Sequence, residues 1–132
     1  MATPIGIAVI GLGVIGRRML EQTARRQDLR VVSAWDLGAE ARARAQADFP
    51  GLALAADAEA AIAAPGVDIV YVGTPPGVHR QYSLMAARHG RRVFCADGEA
   101  DHAFVRDAQL RAADIEPFIR RARRTTLVAL QR

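Results

Sequence analysis

The chain has 132 residues, of which 51% are hydrophobic, and its net charge is +4. This length and composition predict one globular domain over residues 1–132, and they exclude a disordered chain. No apolar run approaches the roughly 20 residues that a membrane span needs, and no leader precedes the first apolar segment, so we expect neither membrane insertion nor export. All 18 basic residues are arginine and most alternate with acids, so we expect no nucleic-acid partner.

The first element combines an apolar strand with a glycine-rich turn. Residues 5–10 predict a buried strand, and helix-favouring residues continue to about residue 26. The six residues that join them are Gly11, Leu12, Gly13, Val14, Ile15 and Gly16. This pattern is typical of a turn that holds a dinucleotide pyrophosphate against the positive end of a helix. Gly11 permits the turn, Gly13 lets the backbone approach the phosphates, and Gly16 lets the helix pack closely.

The second predicted strand, residues 30–34, leads to an acidic residue at the position where a dinucleotide ribose would lie. Asp36 lies 20 residues beyond Gly16, where a carboxylate accepts hydrogen bonds from the adenosine ribose hydroxyls. The alternative is an ordinary glycine-rich turn with a solvated Asp36. A carboxylate also repels a 2′-phosphate, so Asp36 favours NAD over NADP. Arg42 and Arg44 lie inside the following helix, and we do not count them as phosphate ligands.

The remaining elements alternate between helix and strand. We predict helices over residues 39–48, 57–64, 79–88 and 101–113, with Asp57 as the cap of the second and Asp114 as the cap of a further helix. Strands are predicted over residues 52–55, 68–72, 92–95 and 125–130. This order predicts an α/β fold with a doubly wound parallel sheet of about six strands and helices on both faces. Gly11, Asp36, Thr74 and Ala96 then follow the carboxyl ends of strands, where such sheets bind ligands.

Together these residues resemble the N-terminal domain of the glucose–fructose oxidoreductase, inositol dehydrogenase and MocA (Gfo/Idh/MocA) family. The glycine-rich turn, Asp36 and the strand at residues 92–95 match the family pattern, as do the closing residues 126–132. The most specific match is the segment at residues 72–79, which contains Thr74, Pro75 and His79. The resemblance covers nearly the whole chain, apart from a gap between residues 96 and 113.

The resemblance implies a Rossmann fold that binds NAD(P), with Thr74 and Pro75 near the nicotinamide ribose. His79 would begin the helix behind them, either in contact with the cofactor or as a capping or packing residue. No metal site is implied, and the cofactor expected is NAD, with NADP the weaker alternative.

The catalytic part of the family pattern is missing. Family members that transfer hydride carry Glu-Lys-Pro after the strand at residues 92–95, whereas this chain has Ala96, Asp97 and Gly98. The chain contains no lysine at all, so Asp97 occupies the position of the family's catalytic lysine. We expect the family's C-terminal α/β substrate domain to be absent as well, and residues 99–109 align by eye as an insertion.

The sequence leaves three hypotheses of function open. The chain is a cofactor-binding domain without turnover of its own, an oxidoreductase completed by a partner chain, or a non-catalytic module that senses NAD(H) or binds a protein. Loss of the substrate domain would leave a sheet edge and an apolar face open, so we expect a homo-oligomer or a partner chain. The single cysteine, Cys95, fits a reducing cytoplasm.

Overall fold

A computed structural model describes residues 3–95 of the chain. The expectations for Ala96, Asp97 and the elements at residues 101–113 and 125–130 therefore lie outside the described residues. Within them the elements, in chain order, are β1 (Ile5–Ile10), α1 (Val14–Ala24), β2 (Leu29–Trp35), α2 (Ala39–Asp48), α3 (Ala58–Ala63), β3 (Ile69–Val72), a 3₁₀ turn (Pro76–Val78), α4 (His79–Arg88) and β4 (Arg92–Cys95).

The strands form one parallel sheet in the order β2-β1-β3-β4. The chain leaves β1 towards β2 on one side and then crosses back to β3 on the other. The direction of winding therefore reverses between β1 and β3, and in sheets of this kind ligands bind at the carboxyl ends of the strands beside that point. The α/β class and the parallel, doubly wound arrangement are confirmed.

Alternate residues of the central strand β1 supply two separate cores. Ile5, Ile7 and Val9 pack with Met19 and Leu20 of α1, on the face that α2 also covers. On the opposite face, Ala8 and Ile10 pack with α3 and α4. Every residue of β1 is buried, which explains why the strand has a continuous apolar sequence rather than an alternating one.

The predicted strand at residues 52–55 is reduced to a single parallel bridge between Leu54 and Ala34. Two backbone hydrogen bonds, from Ala34 N to Ala53 O and from Ala55 N to Ala34 O, hold it at 3.0 Å each. It stops there because Asp57 already caps α3, accepting a hydrogen bond from Ala60 N at 2.7 Å. The predicted cap is thus present, and it leaves too few residues for a longer strand.

The other boundaries lie within about two residues of the predicted ones. The helix α2, the helix α4 and the strand β4 have the predicted limits, and α1 ends at Ala24. Among the residues from 3 to 95, no helix combines the length and the apolar content that crossing a membrane requires.

Gly6 in β1 allows a close approach that no other residue would permit. A Cβ atom at this position would lie 1.8 Å from the carbonyl oxygen of Gly66 and 2.8 Å from Cγ2 of Val32. The same backbone is tied to the segment before β3, because Asp68 N donates to Gly6 O at 2.8 Å and Gly6 N donates to the Asp68 carboxylate at 2.9 Å. The missing side chain therefore sets the packing of β1 against this segment.

We predict that Gly6→Ala lowers the free energy of unfolding by about 2 kcal/mol or more, because the added methyl group overpacks a rigid backbone contact. Gly51→Ala is the matched control, since a Cβ atom there would meet nothing within 4 Å. Urea unfolding followed by circular dichroism measures both. Equal stability of the two variants would contradict the packing described for Gly6.

Candidate functional site

Three loops meet at the carboxyl edge of the sheet. Ile10, Trp35 and Val72 end β1, β2 and β3, and the segments that follow are hydrogen-bonded to one another. Gly11 N donates to Trp35 O at 2.8 Å, and the amide after β3 donates to Ile10 O, also at 2.8 Å. The structure therefore brings three segments together, as the sequence predicts. They are the glycine-rich turn, the loop at residues 36–38 (the Asp36 loop) and the loop at residues 73–75 (the Thr74 loop).

The glycine-rich turn is closed by two glycines that leave no room for a side chain. Gly11 has a φ of +99°, which favours glycine, and a Cβ atom there would lie 2.8 Å from the carbonyl carbon of Gly73. A Cβ atom on Gly16 would lie 1.7 Å from the carbonyl oxygen of Gly11. The first turn of α1 thus packs directly on the end of β1, as predicted for Gly16.

Gly13 differs from these two glycines because the space around it is open. It is the N-cap of α1, it is exposed, and a Cβ atom there would meet nothing within 4 Å. The first amides of a helix have no partner inside the helix, and the first turn of α1 contains no acidic side chain. The space next to Gly13 and the positive helix end together suit the pyrophosphate of a dinucleotide.

A surface depression of 380 Å³ adjoins this turn between α1 and α2. Arg17 on its rim also forms an ion pair with Asp48 at the end of α2. Its lining residues are Leu12, Gly13, Val14, Arg17, Arg18, Glu21, Ala41 and Arg44. The lining holds three guanidinium groups and one carboxylate, and Asp48 offsets the charge of Arg17, so a small positive excess remains.

Asp36 is fixed to the glycine-rich turn through its carboxylate. Oδ2 accepts a hydrogen bond from Leu12 N at 2.7 Å, and Oδ1 accepts one from Gly38 N at 2.7 Å. A carboxylate oxygen has two lone pairs, so each of these oxygens retains acceptor capacity after one bond. The half-buried Asp36 carboxylate can therefore accept hydrogen bonds from a vicinal pair of hydroxyl groups.

The side chain of Arg42 reaches back to the same loop, which the sequence did not reveal. Its Nη1 donates to the carbonyl oxygens of Asp36 at 2.7 Å and of Leu37 at 3.1 Å. The prediction placed Arg42 inside a helix, and that is correct, but the long side chain extends beyond the N-terminus of α2. Arg42 thus belongs to the environment of Asp36.

Thr74 and Pro75 form the third loop, and His79 packs behind it. The Nε2 atom of His79 is hydrogen-bonded to the carbonyl oxygen of Thr74. Because a carbonyl oxygen only accepts, Nε2 carries the proton. The residue is 6% exposed, and among residues 3–95 its Nδ1 atom has no partner. This geometry gives His79 a packing role that fixes the Thr74 loop, and direct contact with a cofactor stays a prediction.

Tyr82 of α4 is a buried residue that lies close enough to Asp36 to be affected by its charge. It lies one turn after His79 on the buried face of α4, and its ring makes an edge-to-face contact with Trp35 at 6.4 Å. Burial raises the pKa of Tyr82, and the Asp36 carboxylate raises this pKa further. In the sequence, Tyr82 was marked only by its helical spacing from His79. This spacing indicates that both lie on one buried face, but it does not identify the residue that Tyr82 contacts.

Across the part of the chain that the structure describes, no group of three or more His, Cys, Asp or Glu side chains could hold a metal ion. Asp97, the other chemically important position, lies outside that part.

The fold and the site together define a Rossmann domain that binds a dinucleotide. Residues 5–96 match the Gfo/Idh/MocA oxidoreductase family, NAD-binding Rossmann fold. The chain therefore belongs to this family, as the resemblance predicted, and it carries the family's NAD(P)-binding domain.

A curated relative agrees with this assignment, and two solved structures share the fold. The inositol 2-dehydrogenase of Gluconacetobacter diazotrophicus is 33% identical over 112 residues, which cover 80% of this chain and 33% of that protein. The biliverdin reductase of Synechocystis sp. PCC 6803, solved with biliverdin and NADP+, has a TM-score of 0.68 at 21% identity, covering 80% of this chain and 34% of that one. GenD2 from gentamicin A biosynthesis, in complex with NAD, has a TM-score of 0.65 at 23% identity, covering 72% of this chain and 27% of that one.

The chain spans a third or less of the length of the curated relatives it matches, with values of 22%, 33% and 27% for three of them.

We predict that Asp36→Asn lowers the pKa of Tyr82, because the negative charge that opposes its ionisation is removed. Burial should still keep this pKa above the ordinary value of 10.0. Tyrosinate absorbance measured against pH gives the value, and Tyr82→Phe identifies the signal, since the chain has two tyrosines. An unchanged pKa would contradict the proximity of the two side chains.

The same shift has a consequence for stability. Below pH 10 the folded and unfolded chains both retain the Tyr82 proton, so its contribution to stability is constant there. Above pH 10 the unfolded chain loses this proton first, and the free energy of unfolding falls as the pH rises through the folded pKa. Tyr82→Phe should remove this part of the alkaline loss.

Proposed function

We propose that the chain binds NAD(H) in preference to NADP(H), with the pyrophosphate at the N-terminus of α1 and the adenosine ribose at Asp36. The observation that carries this proposal is the 2.7 Å hydrogen bond from Leu12 N to Asp36 Oδ2, beside the open space at Gly13. It joins the turn that would hold the phosphates to the carboxylate that would hold the ribose. Gly11, Leu12, Gly13, Val14, Ile15 and Gly16 form the phosphate side of the site.

The preference for NAD(H) follows from the hydrogen bonds that Asp36 already makes. Its two oxygens accept from Leu12 N and Gly38 N, so the carboxylate is held in place as an acceptor. A ribose 2′-hydroxyl group donates to such an acceptor, whereas a 2′-phosphate brings a second negative charge against it. Asp36 therefore favours binding of the 2′-hydroxyl form and disfavours binding of the 2′-phosphate form.

The loop after β3 supports the nicotinamide half of the cofactor in this proposal. Thr74 and Pro75 lie at the carboxyl end of a central strand, and Pro75 is exposed. His79 acts on this half through its hydrogen bond to the Thr74 carbonyl group. The ring keeps the loop in one conformation and so presents Thr74 and Pro75 to the cofactor.

We further propose that this chain does not transfer hydride by itself. Proton transfer from a substrate hydroxyl produces a developing alkoxide, which a cation or a hydrogen-bond donor stabilises. Asp97 supplies a carboxylate where the family has a lysine, and no lysine is present elsewhere. A role as an NAD(H)-sensing or protein-interaction module is the second candidate, and the replacement of the lysine favours it. A homo-oligomer or a partner chain, in the cytoplasm, remains part of the proposal.

We predict that Asp36→Ala weakens NADH binding by roughly 30-fold, because a charge-assisted hydrogen bond contributes about 2 kcal/mol. NADPH affinity should stay the same or increase, because its 2′-phosphate no longer faces a carboxylate. Fluorescence transfer from Trp35, the only tryptophan, to the nicotinamide ring measures both affinities.

Glu59→Ala is the control for this measurement, since it removes an exposed carboxylate whose partner is His89 at the end of α4. Equal weakening of NADH and NADPH by Asp36→Ala would remove the proposed role of Asp36. Failure of the unaltered chain to bind either cofactor would overturn the proposed function.

We predict that the 132-residue chain produces no NADH from NAD+ with inositols or sugars, because Asp97 replaces the lysine that would stabilise the alkoxide. Absorbance of the reduced nicotinamide ring measures this directly, and a full-length inositol 2-dehydrogenase serves as the positive control. Measurable turnover that depends on the concentration of the chain would contradict the proposal of a non-catalytic domain.

A further inference from the structure

The guanidinium group of Arg42 holds the loop that carries Asp36. We propose that Arg42 is a positioning residue of the adenosine ribose subsite, which sets the direction of the Asp36 carboxylate and thereby the preference for NAD(H) over NADP(H). This inference rests on the proposed function, because it concerns the same ribose subsite.

The hydrogen bonds of Arg42 connect α2 to the end of β2. Its backbone amide donates to Gly38 O at 3.1 Å and so closes the first turn of the helix. Its side chain passes back over that turn, and Nη1 donates to Asp36 O at 2.7 Å and to Leu37 O at 3.1 Å. Both carbonyl groups precede the helix, so this side chain fixes a loop that the helix itself does not hold.

The Asp36 loop has few other constraints among the described residues. Leu37 is 80% exposed, so it gives the loop no apolar contact. Gly38 is the N-cap of α2 and provides no side-chain cap. Backbone bonds hold the two ends of the loop, from Gly11 N to Trp35 O and from residue 42 N to Gly38 O. Between them, the remaining constraint is the Asp36 carboxylate itself, bonded to Leu12 N and Gly38 N. Without Arg42, the ligand-binding carboxylate would have to hold its own loop in place.

Two roles for this guanidinium group predict opposite changes in cofactor preference. A phosphate ligand would attract a 2′-phosphate, so its loss would weaken NADPH more than NADH. A positioning residue acts through the Asp36 carboxylate, which binds only the hydroxyl form, so its loss would weaken NADH more than NADPH. The observed bonds of Nη1 to two carbonyl oxygens favour the positioning role.

The test compares Arg42→Met, Arg42→Lys and Arg88→Met for NADH and NADPH binding. Arg88 is exposed at the end of α4, so its substitution removes the same charge far from the subsite. We expect Arg42→Met to weaken the binding of NADH about tenfold and the binding of NADPH less, as loss of a charge-assisted hydrogen bond predicts. Arg42→Lys should recover most of the NADH affinity, because an ammonium group can donate to both carbonyl oxygens.

Amide hydrogen exchange tests the same inference without any cofactor. In Arg42→Met, the amides of Leu12 and Gly38 should exchange about tenfold faster than in the unaltered chain, because their shared acceptor is no longer fixed. Arg88→Met should leave both rates unchanged. Thermal unfolding of each variant separates this local effect from a general loss of stability.

The outcomes distinguish this inference from the proposed function. A larger loss for NADPH than for NADH, or an unchanged ratio of the two affinities, would overturn the positioning role of Arg42. Unchanged exchange at Leu12 and Gly38 would overturn it as well, whether or not the chain binds a cofactor. Absence of binding by the unaltered chain would contradict the proposed function alone.

Discussion

The hydrogen bond between the Leu12 amide and the Asp36 carboxylate is the interaction on which the rest of the site depends. It joins the ends of β1 and β2 at 2.7 Å, and both flanking loops are built around it. The backbone bond from Gly11 N to Trp35 O aligns the same two strand ends. Because the carboxylate also bonds to Gly38 N, one side chain links the glycine-rich turn, the end of β2 and the start of α2. A charged acceptor of backbone amides makes stronger hydrogen bonds than a neutral one, which suits this role.

The absence of side chains at particular glycines is the second constraint. Gly6 and Gly16 each allow a backbone contact that a Cβ atom would block, at 1.8 Å and 1.7 Å from a carbonyl oxygen. Gly13 lies in open space, so packing does not require a glycine there. Two of these glycines therefore serve the fold, whereas Gly13 is free to serve a ligand. Within the glycine-rich turn, packing therefore accounts for Gly16 and leaves Gly13 available for the proposed ligand.

Much of this arrangement could be predicted from the sequence because local signals agree with the global fold. Alanine-rich α2, bounded by Gly38 and Phe49, has its predicted limits, and Asp57 caps α3 as predicted. The strand predicted at residues 52–55 became a single bridge, because an apolar pattern of four residues does not show how many of them pair with β2.

The contacts of Arg42 and Tyr82 with the Asp36 loop could not be predicted. The first depends on the path of a long flexible side chain, and the second on the packing of α4 against β2. Residues that act through tertiary contacts carry no local pattern, whereas Gly11, Asp36 and Thr74 are marked by their place after strands.

The most direct test of the account is a titration of the isotope-labelled chain with NADH, followed through the backbone amide resonances. We predict saturable shifts at Gly13, Val14 and Ile15 and at the residues around Asp36. Gly66 and Gly90, which precede β3 and β4 at the opposite edge of the sheet, should not shift. Saturable shifts at Gly66 and Gly90 instead, or none at the glycine-rich turn, would contradict a dinucleotide site organised by the bond between Leu12 and Asp36.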